Sequence, residues 1–136
     1  MSAVATPDSS VLIAGFASWH TRHDAARGAL AGIVDLVAHA ELESYSVLTR
    51  IPEPFQIAAT AVAEYLRRRY PGERLVLPEV ERRTLVGRLS ELGIAGGAVY
   101  DAVVATTAAR HGYKLLTCDR RAAPTYDRIG ASVEYL

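Results

Sequence analysis

GAVYDAVVATTAARHGYKLLTCD, residues 97–119, is the stretch that decides the fold, because a helical pattern, a stop and a strand follow one another directly. Apolar residues dominate positions 97–111, and this pattern predicts a buried helix. Gly112 lies where a helix stop is expected, and residues 114–117 are typical of a short strand. Asp119 follows just beyond that strand. Direct alternation of helix and strand predicts an α/β domain with a parallel sheet.

The same alternation extends over the rest of the chain. Short β-type runs bounded by Pro, Gly or charge predict strands at residues 2–6, 36–39, 74–77, 114–117 and 132–135. Helical patterns cover residues 9–17, 20–31, 40–50, 57–70, 79–92 and 97–111, with a further turn after Arg120. Because no repeat, low-complexity tract or linker divides these elements, we predict a single domain over residues 1–136.

Composition restricts the class of protein further. The chain has 136 residues, of which 50% are hydrophobic, which is ample for the core of one domain. Fifteen basic residues balance fifteen acidic ones, so binding to nucleic acid requires a local patch of charge. Cys118 is the only cysteine, which excludes an internal disulfide and fits a reducing cytoplasm. No signal-peptide or membrane-span pattern is present, so we expect a soluble cytoplasmic protein.

Two aspartates follow predicted strands directly. Asp8 comes after the first strand and Asp119 after the strand at residues 114–117. The carboxyl ends of parallel strands meet at one edge of a sheet, where ligands bind in open α/β folds. Each aspartate could instead cap the helix that follows it, a role that aspartate fills well. Position alone does not choose between the two roles.

Asp101 is the only charged residue in the apolar segment between positions 93 and 109. A buried, unpaired carboxylate is costly, so this one needs a cation, a cluster of hydrogen-bond donors or a water-filled cleft. The alternative is a buried ion pair with Arg110 or Lys114. In the third helical pattern, Glu41 and Glu43 both lie among apolar residues, and their spacing does not decide which of them faces a site.

Four blocks of this sequence resemble the PIN-domain ribonucleases and, within them, the VapC toxins of bacterial toxin-antitoxin pairs. The blocks are PDSSVL at residues 7–12, HAELESYSVLTRIP at 39–52, GGAVYDA at 96–102 and LLTCDRRA at 115–122. They are similar to the segments that carry the four acids of that family, and the register of the second block selects Glu43. The resemblance therefore implies a site formed by Asp8, Glu43, Asp101 and Asp119.

The resemblance also implies a PIN-like three-layer domain with a five-stranded parallel sheet flanked by helices. It implies RNA cleavage with Mg²⁺ or Mn²⁺ held by the four carboxylates, and a cognate VapB-type antitoxin that inhibits the enzyme. A homodimer and no membrane partner are expected. Since magnesium takes only one or two protein carboxylates directly, we expect Asp8 and Asp101 closest to the metal and Glu43 and Asp119 acting partly through water.

Other residues have supporting roles in this interpretation. Ser10 and Thr117 are candidate hydrogen-bond donors to the acids, although they could simply start a helix and end a strand. Arg120 and Arg121 adjoin the fourth acid and are the first candidates for RNA-phosphate contacts. The remaining arginine clusters are expected on solvated helix faces, and His20 and His23 at an interhelical corner. Four tyrosines could stack on bases, although most are expected in the core or an interface: Tyr45, Tyr65, Tyr70 and Tyr100.

Two competing functions belong to other classes of protein. A non-cleaving RNA-binding or scaffold module could keep the fold and use a metal for structure only. A phosphoacceptor receiver-like domain also clusters acids at strand ends, but it requires a lysine after a late strand. The sequence offers only Lys114, at the start of a strand.

Overall fold

A computed structural model describes residues 4–136 of the chain. In chain order its elements are β1 (Ala5–Pro7), α1 (Ser9–Phe16), α2 (His23–Ala29), β2 (Leu36–Val37), α3 (Ala38–Thr49), α4 (Ala59–Arg69), β3 (Arg74–Leu75), α5 (Glu79–Glu91), α6 (Ala98–Arg110), β4 (Lys114–Thr117), a 3₁₀ turn (Arg120–Ala122), α7 (Ala123–Ile129) and β5 (Val133–Tyr135). None of these helices is long and apolar enough to cross a membrane.

Every strand pairing in the described residues is parallel. β4 lies between β1 and β5, with Thr6 opposite Leu115 and Leu115 opposite Val133. β2 pairs with β3 in a second, two-stranded sheet. Because β1 and β4 are parallel neighbours, their carboxyl ends lie at the same edge, which brings the residues after Pro7 and after Thr117 together.

The predicted single five-stranded sheet is wrong, because the five strands form one sheet of three and another of two. The strands β1 and β2 contact each other where a continuous sheet would join them. That contact includes a side-chain hydrogen bond, in which Thr6 Oγ1 donates to the Asp35 carbonyl over 2.9 Å. In the described residues, however, no backbone ladder joins β1 to β2.

The predicted three-layer α/β class is confirmed. Leu115, Leu116 and Thr117 are consecutive in β4, and all three are buried. Successive strand side chains point to opposite faces, so both faces of this strand are covered. The helices α1 and α6 both contact β4, and burying each leucine on this strand contributes roughly 1.5–3 kcal/mol.

Two boundaries differ from the prediction in ways that matter for the site. Residues 38 and 39 begin α3 instead of ending β2, so His39 lies on a helix. The turn predicted after Arg120 is a 3₁₀ turn followed by a full helix, α7. Residues 2 and 3 of the first predicted strand lie outside the described residues.

Candidate metal-binding acid site

Asp8 follows β1 and is almost completely buried, with 4% of its surface exposed. Its carboxylate accepts hydrogen bonds from Ser10 Oγ over 2.5 Å, from the Tyr126 hydroxyl over 2.7 Å and from the Val11 amide over 3.3 Å. The hydrogen bond from the Val11 amide caps α1, so Asp8 both caps this helix and lies at the end of a strand. Burial raises the pKa of Asp8, and these hydrogen bonds oppose the rise.

Ser10 and Thr117 connect Asp8 to the loop after β4. The Ser10 hydroxyl accepts a hydrogen bond from the Cys118 amide over 2.8 Å, and its oxygen lies 3.4 Å from Thr117 Oγ1. Thr117 Oγ1 in turn accepts a hydrogen bond from the Asp119 amide over 3.0 Å. These two hydroxyls therefore hold the loop that carries Asp119 against the start of α1.

Glu43 on α3 and Asp101 in the first turn of α6 face the same region. Burial raises the pKa of Glu43 to about 7, with further contributions from the charges of Asp101 and Asp8. Burial also raises the pKa of Asp101, helped by Asp119 and Asp8 and opposed by Arg121. Electrostatic interactions therefore link Glu43 to Asp8 and Asp101, and Asp101 to Asp8 and Asp119.

The alternative explanation of Asp101 as half of a buried ion pair is wrong. Arg110 forms its ion pair with Glu81, and Lys114 forms its own with Glu134 over 2.6 Å. Both candidate partners are therefore used elsewhere. Asp101 is left among other carboxylates, where the arrangement favours a cation.

The choice between Glu41 and Glu43 is also resolved by their contacts. Glu41 Oε2 lies 2.7 Å from Arg74 Nη2, and this ion pair ties α3 to β3. Glu43 instead lies near Asp8 and Asp101. Of the two glutamates, only Glu43 is in position to act with the aspartates.

His39 stands beside Glu43, with Nε2 at 3.9 Å from Oε1. Burial lowers the pKa of His39, so the imidazole is neutral near pH 7 and the contact is not an ion pair. Nε2 is buried, and no residue in 4–136 forms a hydrogen bond with it. His39 received no predicted role, since residues 36–39 were predicted as a strand.

A cleft of about 640 Å³ opens beside Asp119 and carries basic side chains. Its lining comprises Ser10, Ile13, His20, Arg22, Cys118, Asp119, Arg120, Arg121 and Leu136. Arg120 lies over the Tyr135 ring at 5.2 Å, and Arg121 contacts Asp119 at 3.3 Å while its side chain is 94% exposed. Arg22 was not predicted, because it is distant in sequence from Arg120 and Arg121 and only the folded chain brings the three into one cleft.

His20 and His23 do not converge on a common ligand site. His23 Nδ1 lies 2.7 Å from the Ala14 carbonyl, and His20 Nδ1 accepts a hydrogen bond from the Arg22 amide. These contacts fit the interhelical corner that the sequence analysis favoured.

Within residues 4–136, no three His, Cys, Asp or Glu side chains lie close enough together to form a ready-made metal cage. The donor set nevertheless fits a hard divalent cation, because all four acids offer oxygen, and the charges of neighbouring acids add to the rise in the pKa of Glu43 and Asp101. Magnesium keeps several waters and needs only one or two protein carboxylates directly, so a closed cage is not required.

Comparison with known proteins agrees with this geometry. The sequence profile of the PIN domain matches residues 5–128. Ribonuclease VapC40 from two strains of Mycobacterium tuberculosis is 50% identical over 128 residues, which cover 94% of this chain and 96% of the relative. Ribonuclease VapC27 of the same species is 40% identical over 127 residues, which cover 93% of this chain and 92% of that relative. The chain therefore belongs to the PIN-domain family.

Proposed function

We propose that this protein is a toxin endoribonuclease that hydrolyses RNA phosphodiester bonds with Mg²⁺ or Mn²⁺ held by Asp8, Glu43, Asp101 and Asp119. The observation that carries the proposal is the closeness of these carboxylates: Glu43 and Asp101, on two helices, are both affected by the charge of Asp8 after β1, and Asp101 also by that of Asp119 after β4. Two relatives of nearly the same length are named as ribonucleases, which supports RNA as the substrate. The proposal treats residues 1–136 as one nuclease domain.

The charge of the acid site explains why a metal is needed. Crowded carboxylates repel each other and repel RNA phosphates, so a phosphate can approach the acids closely only with a cation. A divalent cation bound there would stabilise the charge that builds up on the phosphate and ease deprotonation of the attacking water. The carboxylate oxygens of Asp8 and Asp101 are our candidates for direct ligands, with Glu43 and Asp119 acting partly through water.

The protein's own residues orient the reaction. Tyr126 and Ser10 fix both oxygens of Asp8 by hydrogen bonds. Arg120 and Arg121, joined by Arg22 in the same cleft, provide positive charge on the Asp119 side of the site. Guanidinium groups hold phosphates well, so this cleft is our candidate path for the RNA backbone.

The proposal includes a protein partner as well. The relatives carry the VapC name of toxin-antitoxin pairs, which supports inhibition by a VapB-type antitoxin. A homodimer belongs to the same proposal, and sedimentation of the purified chain tests it. Cleavage by the free protein, and its loss when the antitoxin is added, tests the partnership.

The experiment is RNA cleavage by the purified chain without antitoxin. Total bacterial RNA is incubated with Mg²⁺, with Mn²⁺ or with EDTA, and cleavage is followed by primer extension. We expect metal-dependent cuts, abolished by EDTA and reduced at least about 100-fold by Asp101→Asn, since that loss equals about 2.7 kcal/mol of transition-state stabilisation. Asp24→Asn, an exposed carboxylate on α2, is the charge-matched control and is expected to keep full activity.

Two outcomes would contradict the proposal. Equal cleavage by Asp101→Asn and the parent would remove the acid site from the reaction. RNA binding without turnover under any divalent ion would instead favour the non-cleaving RNA-binding or scaffold module.

A further inference from the structure

Tyr100 is a large aromatic residue at the acid site whose ring is left in solvent. It precedes Asp101 on α6, and 55% of its surface is exposed. Its ring lies parallel to the His39 imidazole on α3, with centroids 5.5 Å apart and an angle of 7° between the planes. The imidazole packs against one side of the ring, and more than half of the surface of Tyr100 stays in solvent.

His39 gives this ring a fixed support. It lies on the first turn of α3, and its Nε2 is buried. The two rings come from two helices that also carry Glu43 and Asp101. The two helices therefore fix the position of the aromatic pair relative to the acids. A residue that positions a substrate requires such a fixed position.

A cleft of about 450 Å³ begins at the Tyr100 ring and runs along α3 past Glu43 to Arg50. The Arg50 guanidinium donates one hydrogen bond to Ser46 Oγ over 3.2 Å, which holds it at the rim. Its other N–H groups remain to contact a base edge or a phosphate. The cleft thus offers a planar stacking surface at one end and a cation at the other, with a catalytic-site carboxylate between them.

A nucleobase suits this surface better than a charged group. Stacking on an aromatic ring is tolerant of base identity, and it is not weakened by the negative charge of the nearby acids, because the base itself is neutral. Phosphates would instead favour the arginine cleft on the Asp119 side. The arginine cleft would thus bind the RNA backbone, and the cleft at Tyr100 would bind one of the bases.

We propose that Tyr100, supported by His39, stacks on an unpaired nucleobase of the RNA next to the phosphate that is cleaved. This inference rests on the proposed ribonuclease function and names a substrate-binding residue for it. A base can reach the ring only when it is unstacked from its neighbours, so the enzyme selects single-stranded loops, bulges or ends.

The test measures binding and cleavage separately. Binding is measured in EDTA with a fluorescein-labelled single-stranded RNA 12-mer of mixed sequence, and a second 12-mer carries 2-aminopurine to report stacking. Tyr100→Ala is expected to weaken binding about 5- to 100-fold and to remove the fluorescence quenching, while Tyr100→Phe keeps both. Tyr45→Ala is the control, because Tyr45 is a partly exposed tyrosine of α3 outside the cleft.

Salt dependence distinguishes stacking from charge. Tyr100→Ala should leave the slope of log Kd against log salt unchanged, whereas Arg120→Gln should reduce that slope by about 1. On an RNA that the parent protein cleaves, Tyr100→Ala should raise KM and keep kcat within a few-fold of the parent value. Stacking stabilises the ground state and the transition state equally, so it affects binding and not the chemical step. Replacing the loop nucleotide at the cut by an abasic residue should reproduce the same change.

Several results would overturn the inference. These are parental RNA affinity in Tyr100→Ala, equal losses in Tyr100→Ala and Tyr100→Phe, or an altered salt slope in Tyr100→Ala. Loss of antitoxin binding with RNA binding intact would assign the ring to the protein partner instead. Absence of cleavage by the parent protein contradicts the proposed function alone, because the EDTA binding experiment still tests the stacking.

Discussion

Asp8 and Glu43 carry the same charged group, yet the protein surrounds them in opposite ways. The carboxylate of Asp8 accepts hydrogen bonds from two hydroxyls and one amide. For Glu43, burial and the charges of two aspartates raise the pKa, and no hydrogen-bond donor in the described residues offsets them. Burial raises the pKa of both acids, but only at Asp8 do hydrogen bonds oppose the rise.

This difference divides the site into a preset half and a half that requires a cation. Hydrogen bonds to a charged carboxylate hold Asp8 in one orientation whether or not a metal is bound. Glu43 and Asp101 are held only by their helices, and their charges cost free energy until a positive charge arrives. Replacing a side chain should therefore change the stability of the protein in opposite directions in the two halves.

The largest expected effect is on the pH dependence of stability in metal-free buffer. The pKa of Glu43 is about 7 in the folded protein and 4.5 in its unperturbed state, so the folded state binds more protons between these values. The free energy of unfolding therefore falls as pH rises through this window, with an upper bound of about 3 kcal/mol, and the loss is complete above pH 7. Glu43→Gln should remove this loss, as measured by urea denaturation in EDTA from pH 4 to 8.

The comparison with the parent protein isolates the Glu43 contribution, because acids with lowered pKa values elsewhere, such as Glu64 and Glu81, act on both proteins equally. Glu91→Gln at the exposed end of α5 is the matched control. Parallel pH curves for Glu43→Gln and the parent would mean that Glu43 is not destabilised by its surroundings.

A smaller effect, a loss of stability instead of a gain, is expected on removal of a hydrogen bond to Asp8. Tyr126→Phe removes the hydroxyl that donates to Asp8 over 2.7 Å and leaves the buried ring in place. The expected cost is about 2 kcal/mol of unfolding free energy, typical of a hydrogen bond to a charged group, with roughly a tenfold loss of RNA cleavage. Thermal melting and the cleavage assay measure the two effects.

Tyr113→Phe is the control for Tyr126→Phe, because the Tyr113 hydroxyl also donates to an aspartate, Asp35, over 2.7 Å. This pair lies away from the acids, so the variant should lose stability and keep its activity. If Tyr126→Phe behaves in the same way, the hydroxyl of Tyr126 serves the fold and not the site.

Three of the four acids have a local signal in the sequence, whereas the choice of Glu43 rests on the register of the family resemblance. Asp8 and Asp119 follow strands, and Asp101 interrupts an apolar helix. Tyr126 received no predicted role, since only a turn was predicted after Arg120. Pro124 near the start of α7 and Gly130 after its end, with φ of 81°, are the usual flanks of a helix and could have predicted it.

Other features have no local signal. Arg22 reaches the basic cleft only through the packing of distant segments, and the division of the sheet depends on strands two residues long, which periodicity cannot resolve. The pairing of His39 with Tyr100 joins two helices that are about 60 positions apart in sequence. Such contacts depend on tertiary structure, so they become visible only when the chain is folded.

The smallest expected effect concerns Asp101, and it reverses sign when metal is added. In EDTA, Asp101→Asn removes a charge that Asp119 and Asp8 repel, so we expect the variant to be more stable than the parent by about 1 kcal/mol, the usual size of a single-site effect. Adding Mg²⁺ or Mn²⁺ should raise the melting temperature of the parent more than that of the variant, because a cation bound to folded protein stabilises it by mass action. A variant that melts lower than the parent in EDTA would mean that Asp101 is held by donors as Asp8 is, and the division of the site into two halves would then be wrong.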